Sequence, residues 1–105
     1  MTKIITTCIL LALIIACAGK EKTPPASDTP SVAQGEQVFK KYCILCHGTD
    51  GKLGVNGAKD ITVSKLTLEE RELQIKKGKN TMTPFEGILN EEQIISAATY
   101  TLTLK

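Results

Sequence analysis

The segment Cys43-Ile44-Leu45-Cys46-His47 constrains this chain more than any other feature. It sets two thiols one helical turn apart and puts the only histidine of the chain directly after them. The surrounding stretch is short. The chain has 105 residues, enough for one small domain, and its N-terminal third is unlike the rest. Setting that third aside leaves about 70 residues to form a core. A domain of that size buries too little surface to be stable unaided. A metal, a disulfide or a large apolar cofactor is expected.

Each use of Cys43, Cys46 and His47 makes its own demand on the rest of the sequence. A structural zinc site wants four ligands, and the domain has no second pair. A thioredoxin-like dithiol enzyme needs a βαβ framework, which the pattern lacks. A plain disulfide leaves His47 unexplained. Covalent haem attachment, whose signature is C-x-x-C-H, uses all three. Thiols one turn apart reach the two vinyl groups along one porphyrin edge and form thioethers. The adjacent imidazole is carried under the ring, where a nitrogen binds the iron.

The other two cysteines, Cys8 and Cys17, lie in an N-terminal apolar stretch. Lys3 is the only charge before a run from Ile4 to Ala16. That run is shorter than the roughly 20 residues a spanning helix needs. A basic start and a short apolar centre read as an export signal over residues 1–16. Ile14-Ile15-Ala16-Cys17 resembles the bacterial lipoprotein signal, which makes Cys17 the first mature residue and an acyl anchor. Ala16-Cys17-Ala18 also fits the small-x-small cleavage site of plain secretion, and a retained membrane helix is the third reading. All place the domain outside the cytoplasm, in the periplasm or on the outer face of a bacterial membrane. Residues 17–34 hold Pro24, Pro25 and Pro30 among Ser, Thr and charged residues and are expected to be a flexible tether. The formal charge of +2 comes with interspersed Lys and Glu and no basic run, which argues against a nucleic-acid partner.

Residues 35–105 are expected to be the domain, with three main helices. The first runs from about Val32 to Tyr42. The second starts near Thr67, where Thr67 and Glu70 fit a capping box, and stops at Gly78. Its apolar residues are Leu68, Leu73 and Ile75. The third starts near Asn90, with Gln93 three residues on, and continues to about Leu104. Ile94, Ala98, Thr101 and Leu102 share one face at helical spacing. Gly48, Gly51, Gly54 and Gly57 mark a loop whose backbone can pass close to a bulky planar group. No convincing alternating strand is present, so the fold class is all-α.

These residues resemble a small class I cytochrome c over about residues 33 to 105. Gly35 and Phe39 match the first helix of that family and Tyr100 its last. The resemblance implies that the two helices cross closely, small residue against aromatic ring, with three main helices around one covalently bound haem c. The segment Gly78-Lys79-Asn80-Thr81-Met82-Thr83-Pro84-Phe85 resembles the methionine-ligand loop of the family. It implies that Cys43, Cys46, His47 and Met82 bind the cofactor, with His47 and Met82 on the iron. In one respect the chain departs from the family. A proline whose carbonyl accepts the axial histidine proton is usual after the haem motif, and here Gly54-Val55-Asn56-Gly57 stands at roughly that place. Val55 or a neighbour is expected to supply the carbonyl.

Iron held by a nitrogen and a thioether has no open position, and the soft thioether favours reduced iron. Phe39, Leu66, Ile75, Phe85 and Ile94 are expected to form a low-dielectric shell. No catalytic constellation accompanies them. The expected function is electron transfer in an extracytoplasmic respiratory chain, by a monomer that is not an enzyme and that meets redox protein partners. Lys52, Lys59, Lys76, Lys77 and Lys79 are candidates to steer an acidic partner. The alternatives are a haem-based gas sensor or weak peroxidase, in which Met82 is off the iron or displaceable, and a dithiol oxidoreductase.

Overall fold

The computed structural model describes residues 29–105. Among these residues there are four α-helices and no strand: α1 (Val32–Tyr42), α2 (Ile44–His47), α3 (Leu68–Lys77) and α4 (Glu91–Thr101). Two 3-10 turns, Val55–Gly57 and Ile61–Val63, lie in the long connection between α2 and α3. The expected all-α architecture is the one observed. The export signal, Cys17 and the tether up to residue 28 lie outside the described residues.

The caps expected from sequence define the helix starts. Thr67 Oγ1 accepts the Glu70 amide at 3.3 Å, while Glu70 Oε2 accepts the Thr67 amide at 2.8 Å. Asn90 and Gln93 form the same reciprocal pair at 2.8 and 2.9 Å. Each box satisfies two amides that a helix start otherwise leaves without partners. Ser31 caps α1 by accepting the Gln34 amide at 3.1 Å. Its own amide donates to Ser96 Oγ at 2.9 Å, and that hydroxyl donates to Gln34 Oε1 at 2.6 Å. Residues 31 to 34 are thereby fastened to α4. Contacts with α4 are thus made by residues before position 35, where the domain was expected to start.

The crossing of α1 and α4 is the centre of the packing. A Cβ at Gly35 would run into the Ser96 carbonyl and lie 2.8 Å from Tyr100 Cβ. The Phe39 and Tyr100 rings pack 5.3 Å apart, tilted by 54°. The close approach therefore needs a glycine on one helix and an aromatic ring on the other. Val38, Phe39, Ile75, Leu89, Ile94, Ala97 and Ala98 form the buried apolar core.

Three details differ from the sequence reading. The α4 helix ends at Thr101 rather than near Leu104, because the Leu102 and Thr103 amides tighten onto the Thr99 and Tyr100 carbonyls. Leu102 is 48% exposed, and Ser96 and Ala97 take inward places instead. On α3, Leu73 faces solvent while Arg71 is buried. The Arg71 guanidinium donates to the Leu66 and Ser64 carbonyls at 3.1 and 3.2 Å and to Thr101 Oγ1 at 3.0 Å. Burial pulls its pKa below the ordinary arginine value. Arg71 ties the loop before α3 to the end of α4.

The Gly35 contact yields a direct test. Gly35→Ala forces α1 away from α4 and is expected to cost about 1–3 kcal/mol, as overpacking does. The melting temperature of the haem-loaded protein should fall by roughly 4 °C or more. An unchanged melting temperature would show that the two helices do not cross at Gly35.

Candidate haem site

Cys43 sits at the joint between α1 and α2. Its amide donates to the Phe39 carbonyl at 2.9 Å, so it continues α1. Its carbonyl accepts the amides of Cys46 at 3.3 Å and His47 at 3.0 Å. That single acceptor starts the short helix α2 and carries Cys46 and His47 one turn on from Cys43. Sequence analysis read the spacing but did not anticipate α2 as a separate helix. Both thiols are free and half-buried. Burial, with the neighbouring Cys46 second, pushes the Cys43 pKa up to about 11.

His47 Nδ1 lies 3.2 Å from the Lys59 carbonyl oxygen. In the tautomer this bond requires, Nδ1–H donates and Nε2 keeps its lone pair for a metal. The partner expected from sequence was Val55 or a neighbour. The Val55 carbonyl instead accepts the Ala58 amide at 3.0 Å and closes a 3-10 turn. Lys59 takes the role because the chain leaves that turn and comes back beneath the imidazole. The Leu53 amide donates to the His47 carbonyl at 3.0 Å, which holds the intervening loop against α2.

Met82 lies in the connection between α3 and α4. Gly78 ends α3 with φ +67, and the Pro84 nitrogen sits 2.9 Å from where a Cβ at Gly78 would stand. Only glycine admits both the conformation and the approach. A turn closed by the Met82 amide on the Lys79 carbonyl at 3.0 Å presents the methionine. The far end of the loop is fastened back to α3. Phe85 and Glu86 amides donate to the Ile75 and Lys76 carbonyls at 3.0 and 3.1 Å, and Lys77 pairs with Glu86 at 2.6 Å. Met82 is half-buried against the core, and Gln74 Nε2 is 4.0 Å from its sulfur. Phe85 meets Tyr42 edge-on, with ring centroids 6.0 Å apart.

The donor set suits an iron porphyrin. Two free thiols, one imidazole with its second nitrogen committed and one thioether are the groups such a cofactor takes. Leu53 at 48% and Val55 at 40% exposure leave apolar surface on the loop after His47. Tyr42, Met82 and Phe85 are only half-buried beside the core. A hollow lined by Glu70, Leu73, Gln74, Lys77, Gly78 and Lys79 adjoins the Met82 loop. Of the expected shell, Phe39, Ile75 and Ile94 are buried, and Leu66 and Phe85 are half-buried.

The family described as cytochrome c oxidase, cbb3-type, subunit III matches residues 30–100. The chain belongs to the c-type cytochromes. Cytochrome c6 of Leptolyngbya boryana is 36% identical over 76 residues, covering 67% of this chain and 88% of the relative. Cytochrome c6 of Rippkaea orientalis is 37% identical over 101 residues, covering 89% and 87%. The crystal structure of cytochrome c6 from the diatom Phaeodactylum tricornutum superposes with a TM-score of 0.61 at 31% identity, covering 69% of this chain and 91% of that one. Cytochrome c6C from Synechococcus sp. PCC 7002 gives 0.59 at 25% identity, covering 66% and 90%. This cytochrome has the class I fold and carries a covalently bound haem c with iron. It is a haem c electron carrier.

Proposed function

We propose that this cytochrome carries single electrons between redox proteins of an extracytoplasmic respiratory chain, on a haem attached through Cys43 and Cys46 and ligated by His47 and Met82. The observation that carries this reading is the pairing of a committed imidazole with a fastened methionine loop. His47 Nδ1 is held by the Lys59 carbonyl, and the Met82 loop is tied to α3 at Phe85 and Glu86. The bound cofactor supplies a one-electron change at iron. The chain supplies everything that keeps that change small. His47 is oriented before it meets the metal. Met82 would hold the iron through a soft thioether, which favours the reduced state. The buried rings and aliphatic side chains lower the local dielectric around both.

The lysines divide into two groups. Lys76 pairs with Glu91 at 2.8 Å and Lys77 with Glu86 at 2.6 Å, so their charges are balanced locally. Lys59, whose carbonyl meets His47, and Lys79, three residues before Met82, form no ion pair among the described residues. With Lys52 they offer positive charge to an acidic redox partner. We further propose that residues 1–16 direct export and that Cys17 carries the lipid anchor. Residues 17–30 then tether a monomeric domain that does not act as an enzyme.

Two measurements test this reading. The wild-type oxidised protein should show the weak near-infrared sulfur-to-iron charge-transfer band. Met82→Ala should abolish it, open the reduced protein to carbon monoxide and lower the midpoint potential by on the order of 0.1 V or more, within the range axial ligands command. A wild type that lacks the band and binds carbon monoxide readily is the result a sensor or peroxidase would give. Peptide mass spectrometry should find haem on the fragment containing Cys43 and Cys46, and acyl groups on a mature N-terminus at Cys17. Unmodified thiols at 43 and 46 would remove the attachment claim, and a mature chain starting at Gly19 would remove the anchor.

A further inference from the structure

We propose that Thr81 is a positioning residue for Met82: its hydroxyl latches the methionine loop to the loop that follows His47. The inference rests on Met82 being the axial ligand. The Thr81 hydroxyl donates to the Asn56 carbonyl oxygen at 2.8 Å, across 25 residues of sequence. Asn56 is three residues from Lys59, whose carbonyl holds His47. Thr81 directly precedes Met82. The bond therefore joins the segment that orients one axial residue to the segment that presents the other.

The remaining contacts of the methionine loop show why this bond matters. Its downstream end is held by the Phe85 and Glu86 amides and by the Lys77–Glu86 pair, all to α3. The Met82 amide bonds within the loop, to Lys79. Among the described residues, the Thr81 bond is the one recorded hydrogen bond that ties residues 80–83 to an element other than α3 and the loop itself. The other contacts at the tip, Gln74 Nε2 at 4.0 Å from the Met82 sulfur and the packing of Met82 on the core, do not reach the loop after His47.

The backbone on either side is consistent with a built contact. Asn56 and Asn80, with φ of 54° and 55°, are the non-glycine residues of positive φ among the described residues. One supplies the carbonyl that Thr81 reaches, and the other precedes Thr81. Asparagine enters the left-handed region more readily than other non-glycine side chains, so both turns are within ordinary reach of these residues. Here both lie at the ends of one hydrogen bond.

With the latch closed, the thioether stays within reach of the iron and the reduced protein excludes external ligands. With it open, the tip swings and the sixth position becomes available for part of the time. Thr81 thereby favours electron carriage over ligand binding without touching the cofactor itself.

The test compares haem-loaded wild type, Thr81→Val, Thr81→Ser and Met82→Ala. Valine keeps the shape and removes the donor, and serine restores the hydroxyl. The readouts are the rate of carbon monoxide binding to the reduced protein, the temperature at which the sulfur-to-iron band disappears, and the far-ultraviolet melting temperature. Thr81→Val should bind carbon monoxide about fivefold faster than wild type, the ordinary net worth of one hydrogen bond. It should lose the band at a lower temperature with the helical melt unchanged. Thr81→Ser should behave as wild type. A Thr81→Val rate equal to wild type overturns the proposal. So does an equal loss of band and helix in Thr81→Val and Thr81→Ser, which marks a packing role only. If wild type binds carbon monoxide as fast as Met82→Ala, the ligand reading itself fails and takes the latch with it.

Discussion

The contact of Gly35 with the Ser96 backbone and Tyr100 is the constraint on which the rest of the structure depends. It brings α1 and α4 close enough for Phe39 to stack on Tyr100 and for Ser31 to bond Ser96. Cys43 continues α1 through the Phe39 carbonyl, so the crossing also sets where the thiols stand. The α3 helix docks on α4 through Ile75 and Arg71, and the Met82 loop hangs from its C-terminal end. Both ends of the cofactor site are thus referred to one helix pair.

The core this crossing supports is small. Its large members are Val38, Phe39, Ile75, Leu89 and Ile94, supplemented by two alanines. A domain of this size needs a further source of apolar burial. Covalent haem is that source, and at the proposed site Leu53, Val55, Met82 and Phe85 offer it apolar surface. Stability and function then share one group. On the proposed ligation by His47 and Met82, a cofactor held by two fastened segments would change charge with little movement, which is what an electron carrier requires.

Much of this was legible in the sequence because the signals are local. The C-x-x-C-H motif, the capping pairs Thr67–Glu70 and Asn90–Gln93 and the stop at Gly78 each depend on residues within a few positions of one another. What escaped depends on chain segments that meet only after folding. The His47 partner is Lys59 because a 3-10 turn consumes the Val55 carbonyl. Arg71 is buried because Ser64, Leu66 and Thr101 offer its guanidinium acceptors there. The Thr81–Asn56 bond involves a backbone carbonyl, which no residue type advertises. The early end of α4 follows from amides that tighten onto closer carbonyls, a choice the helical spacing up to Leu102 does not reveal.

Iron K-edge X-ray absorption on the purified holoprotein addresses the central claim most directly, because it reads the metal's own neighbours in each oxidation state. The account predicts five nitrogens and one sulfur around iron in both states, with distances that barely change on reduction. A first shell without sulfur, or a shell that loses a neighbour on reduction, would contradict it.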